Sequence, residues 1–135
     1  MNYRRLEVGC LRLIGAIECL AFGAVIMPRS WMEVTHEWLG MGTMPHGAVL
    51  DFMIRQGSFV YGLHGLFLWI ISTDVVRYRP LIIFTGISYM VAAVVFAWID
   101  EVTGMPLFWT VGDALGCFFW GAVLLWLDRW ANSGK

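Results

Sequence analysis

Apolar residues run along this chain in four long blocks, separated by short polar or proline-marked connections. The blocks extend from about Glu7 to Met27, Val49 to Ser72, Leu81 to Ile99, and Leu107 to Leu127. Each approaches or exceeds the roughly 20 residues that a helix needs to cross a bilayer. Pro28, Pro80 and Pro106 stand at their edges, where proline does least harm to a helix. The pattern predicts an all-α fold: an integral membrane four-helix bundle forming a single domain over residues 1–135. The first block is expected to be a retained helix rather than a cleaved signal peptide. Glu18 interrupts its apolar stretch, and no convincing small-x-small cleavage site follows before Pro28.

The connection Pro28–Gly40, "PRSWMEVTHEWLG", has a different periodicity. Ser30 and Glu33 form the S-x-x-E pattern of a capping box. Trp31, Val34 and Trp38 then recur on one helical face, with Glu33, His36 and Glu37 mostly on the other. The expectation is a short interfacial helix over about 30–39, lying on the outer face of the membrane. A carboxylate metal site would need more ligands at that depth, and a di-iron bundle would need a second Glu-x-x-His. No metal is expected there.

Composition agrees with lipid as the main solvent. The chain is 59% hydrophobic and 14% charged, with eight tryptophans, whereas soluble domains carry about 25% charged residues. Net charge is −1, which argues against a nucleic-acid surface. Cys10, Cys19 and Cys117 all lie in apolar blocks and are read as small packing residues without a disulfide. Arg4, Arg5, Arg77, Arg79, Arg129 and Lys135 mark one side of the membrane, and Glu33, Glu37, Asp100 and Glu101 mark the other. The positive-inside rule then puts both termini in the cytoplasm. Gly112 and Gly116 form a small-xxx-small pair on the fourth block, read as packing within the bundle, with a homo-oligomer seam as the alternative.

Candidate chemistry lies in the ionisable residues of the apolar blocks, because such groups cost several kcal/mol in hydrocarbon. Glu18, Arg55 and Asp113 are expected to form a buried polar cluster, with Tyr61 and His64 deeper on the second helix. A bis-histidine haem would need a second histidine at the depth of His64; His36 and His46 both lie in a connection, so no cofactor is expected. No residue is assigned as catalytic, and the cluster serves as structural glue or as the polar end of a ligand cavity.

The strings "MPRSWMEVTHEWLGMGTMP", "IRQGSFVYGLHG", "DVVRYRPL" and "IDEVTGMP" together resemble an uncharacterised family of short four-helix bacterial membrane proteins, and more weakly the DoxX-like layout. The resemblance spans most of the chain, from Leu13 to about Gly121. It implies the same fold and topology in a bacterial inner membrane, and it implies no activity. Trp31, His36, Trp38, Arg55, Tyr61, His64, Asp74, Arg77, Tyr78, Arg79 and Asp100 fall on its recurrent motifs, while Asp113–Ala114 replaces an expected Glu-Gly pair.

The function expected is a non-enzymatic membrane protein. It is either a small subunit of a larger membrane complex or a binder of an apolar, lipid- or quinone-like ligand. The rivals are a membrane enzyme doing acid–base chemistry on a lipid-like substrate with Glu18, Asp113 or His64, and a cytochrome-like or quinone-handling protein. The partners are the lipid bilayer and a larger complex or second copy.

Overall fold

A computed structural model of the chain describes residues 3–133. The elements are α1 (Tyr3–Cys19), α2 (Phe22–Ile26), α3 (Arg29–Trp38), α4 (Ala48–Ile71), α5 (Arg79–Thr103) and α6 (Leu107–Asn132). The described residues are all-α, with no strand among them. Among the described residues, three stretches are long and apolar enough to cross a membrane: Tyr3–Ile26, Arg79–Thr103 and Leu107–Asn132. The protein is therefore a membrane protein by the length and composition of its helices. The expected second block forms α4, which is 24 residues long. Its Asp51, Arg55, Gln56 and His64 lower its hydropathy, and it does not join the other three.

The helices overrun the apolar blocks at several ends. α1 begins at Tyr3 rather than near Glu7, and α5 covers Arg79–Thr103 rather than 81–99. Backbone hydrogen bonding continues through flanking charged residues, which hydropathy alone leaves out. The first block is also broken. Leu20 N–H bonds Ile17 O (3.1 Å) and Ala21 N–H bonds Glu18 O (3.0 Å), a tighter 3₁₀ winding that separates α1 from α2.

The chain divides into two compact units, Arg12–Ile70 and the combination of Met1–Leu11 with Ile71–Lys135. In the Arg12–Ile70 unit, the latter part of α1 together with α2 runs antiparallel to α4. Gly15 and Gly65 meet at the crossing. A methyl on Gly65 would come 2.6 Å from the Gly15 carbonyl oxygen and 2.9 Å from Cys19 N. Only hydrogen at Cα permits that approach. Farther along, Phe22 covers Gly62, whose added methyl would lie 2.6 Å from the ring, and Phe22 meets Phe59 edge-on at 5.9 Å.

In the other unit α5 and α6 form the antiparallel pair. α5 starts with Pro80 in its first turn. It ends at Gly104, whose φ of 72° lies in the left-handed region. There Met105 N–H reaches back to Asp100 O at 2.9 Å, closing a Schellman turn. α5 and α6 touch at Gly86 and Gly121, where a methyl on Gly121 would sit 2.8 Å from the Gly86 carbonyl oxygen. The expected Gly112–Gly116 pair takes no part in this contact, for neither position has an atom within 4 Å of an added methyl. Leu124 and Leu127 fill the core of this unit. Phe84, Val94, Trp98 and Phe119 remain exposed, as side chains facing hydrocarbon do.

α3 carries its two tryptophans outward. Trp31, Val34 and Trp38 are 65%, 66% and 83% exposed, while Met32 on the opposite side is buried. Its N-terminus differs from the expected capping box. The cap position is Pro28, with no side-chain capping bond. Glu33 instead accepts a 2.8 Å hydrogen bond from Arg29 Nε. The guanidinium one turn earlier competes with the backbone for the carboxylate, and a charged donor makes the stronger bond.

Candidate functional site

The polar groups of the Arg12–Ile70 unit are strung along the seam between α1–α2 and α4. Because the helices are antiparallel, successive positions up one meet successive positions down the other. At one end the Arg12 guanidinium lies over the Trp69 ring, 5.9 Å from its centroid. Next come Gly15 and Gly65. Beyond them Glu18 Oε2 and His64 Nδ1 are 2.6 Å apart, and Cys19 Sγ donates to Gly62 O at 3.8 Å. Then Arg55 donates to the carbonyls of Val25 and Met27, the latter at 3.1 Å. Finally Arg29 binds Asp51 as well as Glu33, and donates to Pro45 O at 2.8 Å.

Of the five residues expected to cluster, the structure joins Glu18 and His64. Glu18 is 13% exposed and His64 37%. With Glu18 ionised, Nδ1–H is the donor, so the carboxylate fixes both the tautomer and the plane of the ring. Tyr61 lies one turn from His64 on α4 and is half exposed. His64 also packs its ring 5.8 Å from that of Phe67.

Arg55 solves its burial differently from the expected ion pair. Its donors go to two carbonyls at the C-terminal end of α2. Those carbonyls have no partner within the helix, and they form the negative end of its dipole. A cation there satisfies orphaned acceptors without a carboxylate. Asp113 belongs to the other unit, where it accepts a hydrogen bond from Trp109 on its own helix.

Glu33, His36 and Glu37 do not converge. Glu33 is taken by Arg29, and His36 Nδ1 donates to Gly42 O at 2.8 Å, tying α3 to the following loop. His46 stands 4.0 Å from Glu33 and is 83% exposed. The Glu33 and Asp51 contacts raise the pKa of Arg29 above its ordinary value, which keeps the centre of this network charged. Among the described residues no group of three His, Cys, Asp or Glu comes together around a metal position. The three cysteines are free.

Sequence reasoning passed over several polar groups in the second unit. Arg79, read as one of the basic residues that mark one side of the membrane, grips Asp128 with Nε at 2.7 Å and Nη2 at 3.0 Å. Asn132 Nδ2 adds a third donor to the same carboxylate at 3.1 Å. Glu7 is 2% exposed beside them, and its Oε1 lacks a hydrogen-bond partner among the described residues, as does Asp100 Oδ2. Arg12 was overlooked as well. Its signal was readable, because an arginine inside an apolar block demands explanation. Asp128 gave less warning, since its place in the last turn of α6 resembles an ordinary solvated helix end.

No family model matches the chain, and no curated protein or solved structure matches it.

Proposed function

We propose that this membrane protein has four spans, with α4 as the fourth, and holds the polar group of a lipid- or quinone-like ligand at Glu18 and His64. The observation that carries this reading is the 2.6 Å contact between them, about two helical turns from the end of the Tyr3–Ile26 span. A carboxylate and an imidazole in hydrocarbon cost several kcal/mol, and such groups commonly serve a function. The carboxylate orients the ring, and the partial exposure of His64 leaves it in reach of a ligand headgroup. Tyr61 adds a hydroxyl one turn away. The basic-residue asymmetry favours both termini in the cytoplasm of a bacterial inner membrane, with α3 at the outer interface. The resemblance to short four-helix bacterial membrane proteins supports the same layout.

The test is organic extraction of the purified chain followed by mass spectrometry. An isoprenoid or lipid retained in stoichiometric amount, and lost in His64→Ala, is expected. Only bulk phospholipid, equal in both proteins, refutes the reading. A second reading is supported by the same contact. A carboxylate that orients an imidazole also equips it for proton transfer, which suits an enzyme acting on a lipid-like substrate. Turnover of the extracted ligand by the wild type and not by Glu18→Leu would select it. Co-purification of other chains would select the subunit role.

A further inference from the structure

One end of the unit formed by residues 1–11 and 71–135 gathers three chain segments. Tyr3 meets Trp126 edge-on at 5.8 Å and stacks on Trp130 at 6.0 Å. Arg79 reaches Asp128 from the start of α5. Arg4, Arg5, Arg77 and Arg129 therefore collect at the same end. The acids there are already engaged or enclosed. Asp128 is buried under Arg79, and Glu7 is buried as well. Asp74 turns Oδ1 onto the backbone N–H groups of Val76 and Arg77, at 3.2 and 3.0 Å. Arg5, Arg77 and Arg129 are exposed. The surface left over is net positive, with four arginines against the exposed Asp74, and it carries Tyr3, Trp126 and Trp130, the composition of a membrane interface facing anionic lipid.

An apolar groove leads away from this end along α6. It has a volume of about 680 Å³ and is lined by Leu115, Phe118, Phe119, Ala122, Val123 and Trp126. These positions recur at helical spacing, and Arg129 continues the series just beyond Trp126. From Leu115 to Trp126 the helix rises about 16 Å, close to half of the roughly 30 Å hydrocarbon core. The groove is thus about one leaflet deep, with cations at its mouth.

We propose that this end binds an anionic phospholipid. Its phosphate sits among Arg4, Arg77 and Arg129, and one acyl chain lies in the α6 groove. Guanidinium groups pair with phosphate oxygens through charge-assisted hydrogen bonds. The occupant is a lipid rather than a free anion because the cations open onto an apolar channel that inorganic phosphate cannot use. This site is separate from Glu18 and His64, and its test does not depend on them.

The experiment titrates the full chain, in neutral detergent, with phosphatidylglycerol and with phosphatidylcholine of identical acyl chains, reading bound lipid by native mass spectrometry. Phosphatidylglycerol is expected to bind more tightly. Each basic residue near the headgroups contributes about fivefold, so Arg77→Gln combined with Arg129→Gln should weaken phosphatidylglycerol roughly 25-fold. Phosphatidylcholine binding should be unchanged, and inorganic phosphate should displace neither lipid. Equal binding of the two lipids, or a preference that survives the double substitution, overturns the proposal. Displacement by inorganic phosphate would show a free-anion site and overturn it as well. Should the double variant not fold, the single substitutions carry the test, each with about a fivefold loss.

Discussion

Replacing Gly65 by alanine tests whether the α1–α4 crossing is set by backbone contact. The added methyl would meet Gly15 O at 2.6 Å, Cys19 N at 2.9 Å and Cys19 Sγ at 2.9 Å. Ordinary contact begins at 3.4 Å, so the helices must part by about 0.8 Å at this point. Two of the three obstructing atoms are backbone and cannot swing aside. Overpacking of this kind costs about 1–3 kcal/mol. Against it stands a gain of about 1 kcal/mol, because alanine is the better helix former. Gly57→Ala provides the reference. Gly57 lies on the same helix with nothing within 4 Å, so it keeps the propensity gain without the clash. The difference between the two variants isolates the steric term, and Gly65→Ala should be the less stable by about 1–3 kcal/mol. The assay is reversible unfolding in mixed micelles followed by tryptophan fluorescence. Equal stabilities, or a more stable Gly65→Ala, would refute the close crossing. The same displacement should loosen Glu18 from His64, so Gly65→Ala should also weaken ligand retention more than Gly57→Ala does.

The second unit allows a parallel comparison: Gly121→Ala should destabilise by about 1–3 kcal/mol relative to Gly116→Ala, and equal melting in detergent would contradict the Gly86–Gly121 contact. Arg55→Leu strips the donors from the Val25 and Met27 carbonyls and should cost about 1–3 kcal/mol, with partial recovery in Arg55→Lys; a silent Arg55→Leu in a chemical-denaturation series would refute the cap. Arg29→Gln should free α3 from Asp51 and the Pro45 carbonyl, seen as greater quenching of Trp31 and Trp38 by an aqueous quencher, and unchanged quenching would refute the tether. Since the pKa of Arg29 is raised in the folded state, its contribution is complete below the ordinary arginine value and is lost only as pH climbs through the folded one. Quenching in the wild type should therefore show no change arising from Arg29 across neutral pH.

The sequence by itself determined the helical class, the ends of the helices near Pro28, Pro80 and Pro106, and the outward tryptophans of α3. These depend on local rules: proline geometry, the period of an apolar face, and the length needed to cross a bilayer. It also singled out Glu18 and His64 as residues needing a partner. What it did not decide was the pairing. Arg55 looked like the natural partner of an acid because charge and depth were the only readable coordinates. In the structure Arg55 meets helix-end carbonyls, while Glu18 reaches His64. That choice depends on how α1 and α4 mesh at Gly15 and Gly65, and on a helix break that no proline announces. The glycines make the same point. Gly112 and Gly116 have the spacing of a packing motif and meet nothing within 4 Å, whereas Gly121 touches Gly86 on another helix. Spacing places residues on a face of their own helix. Which face is covered, and by what, depends on atoms distant in the chain, and only the tertiary structure brings those together.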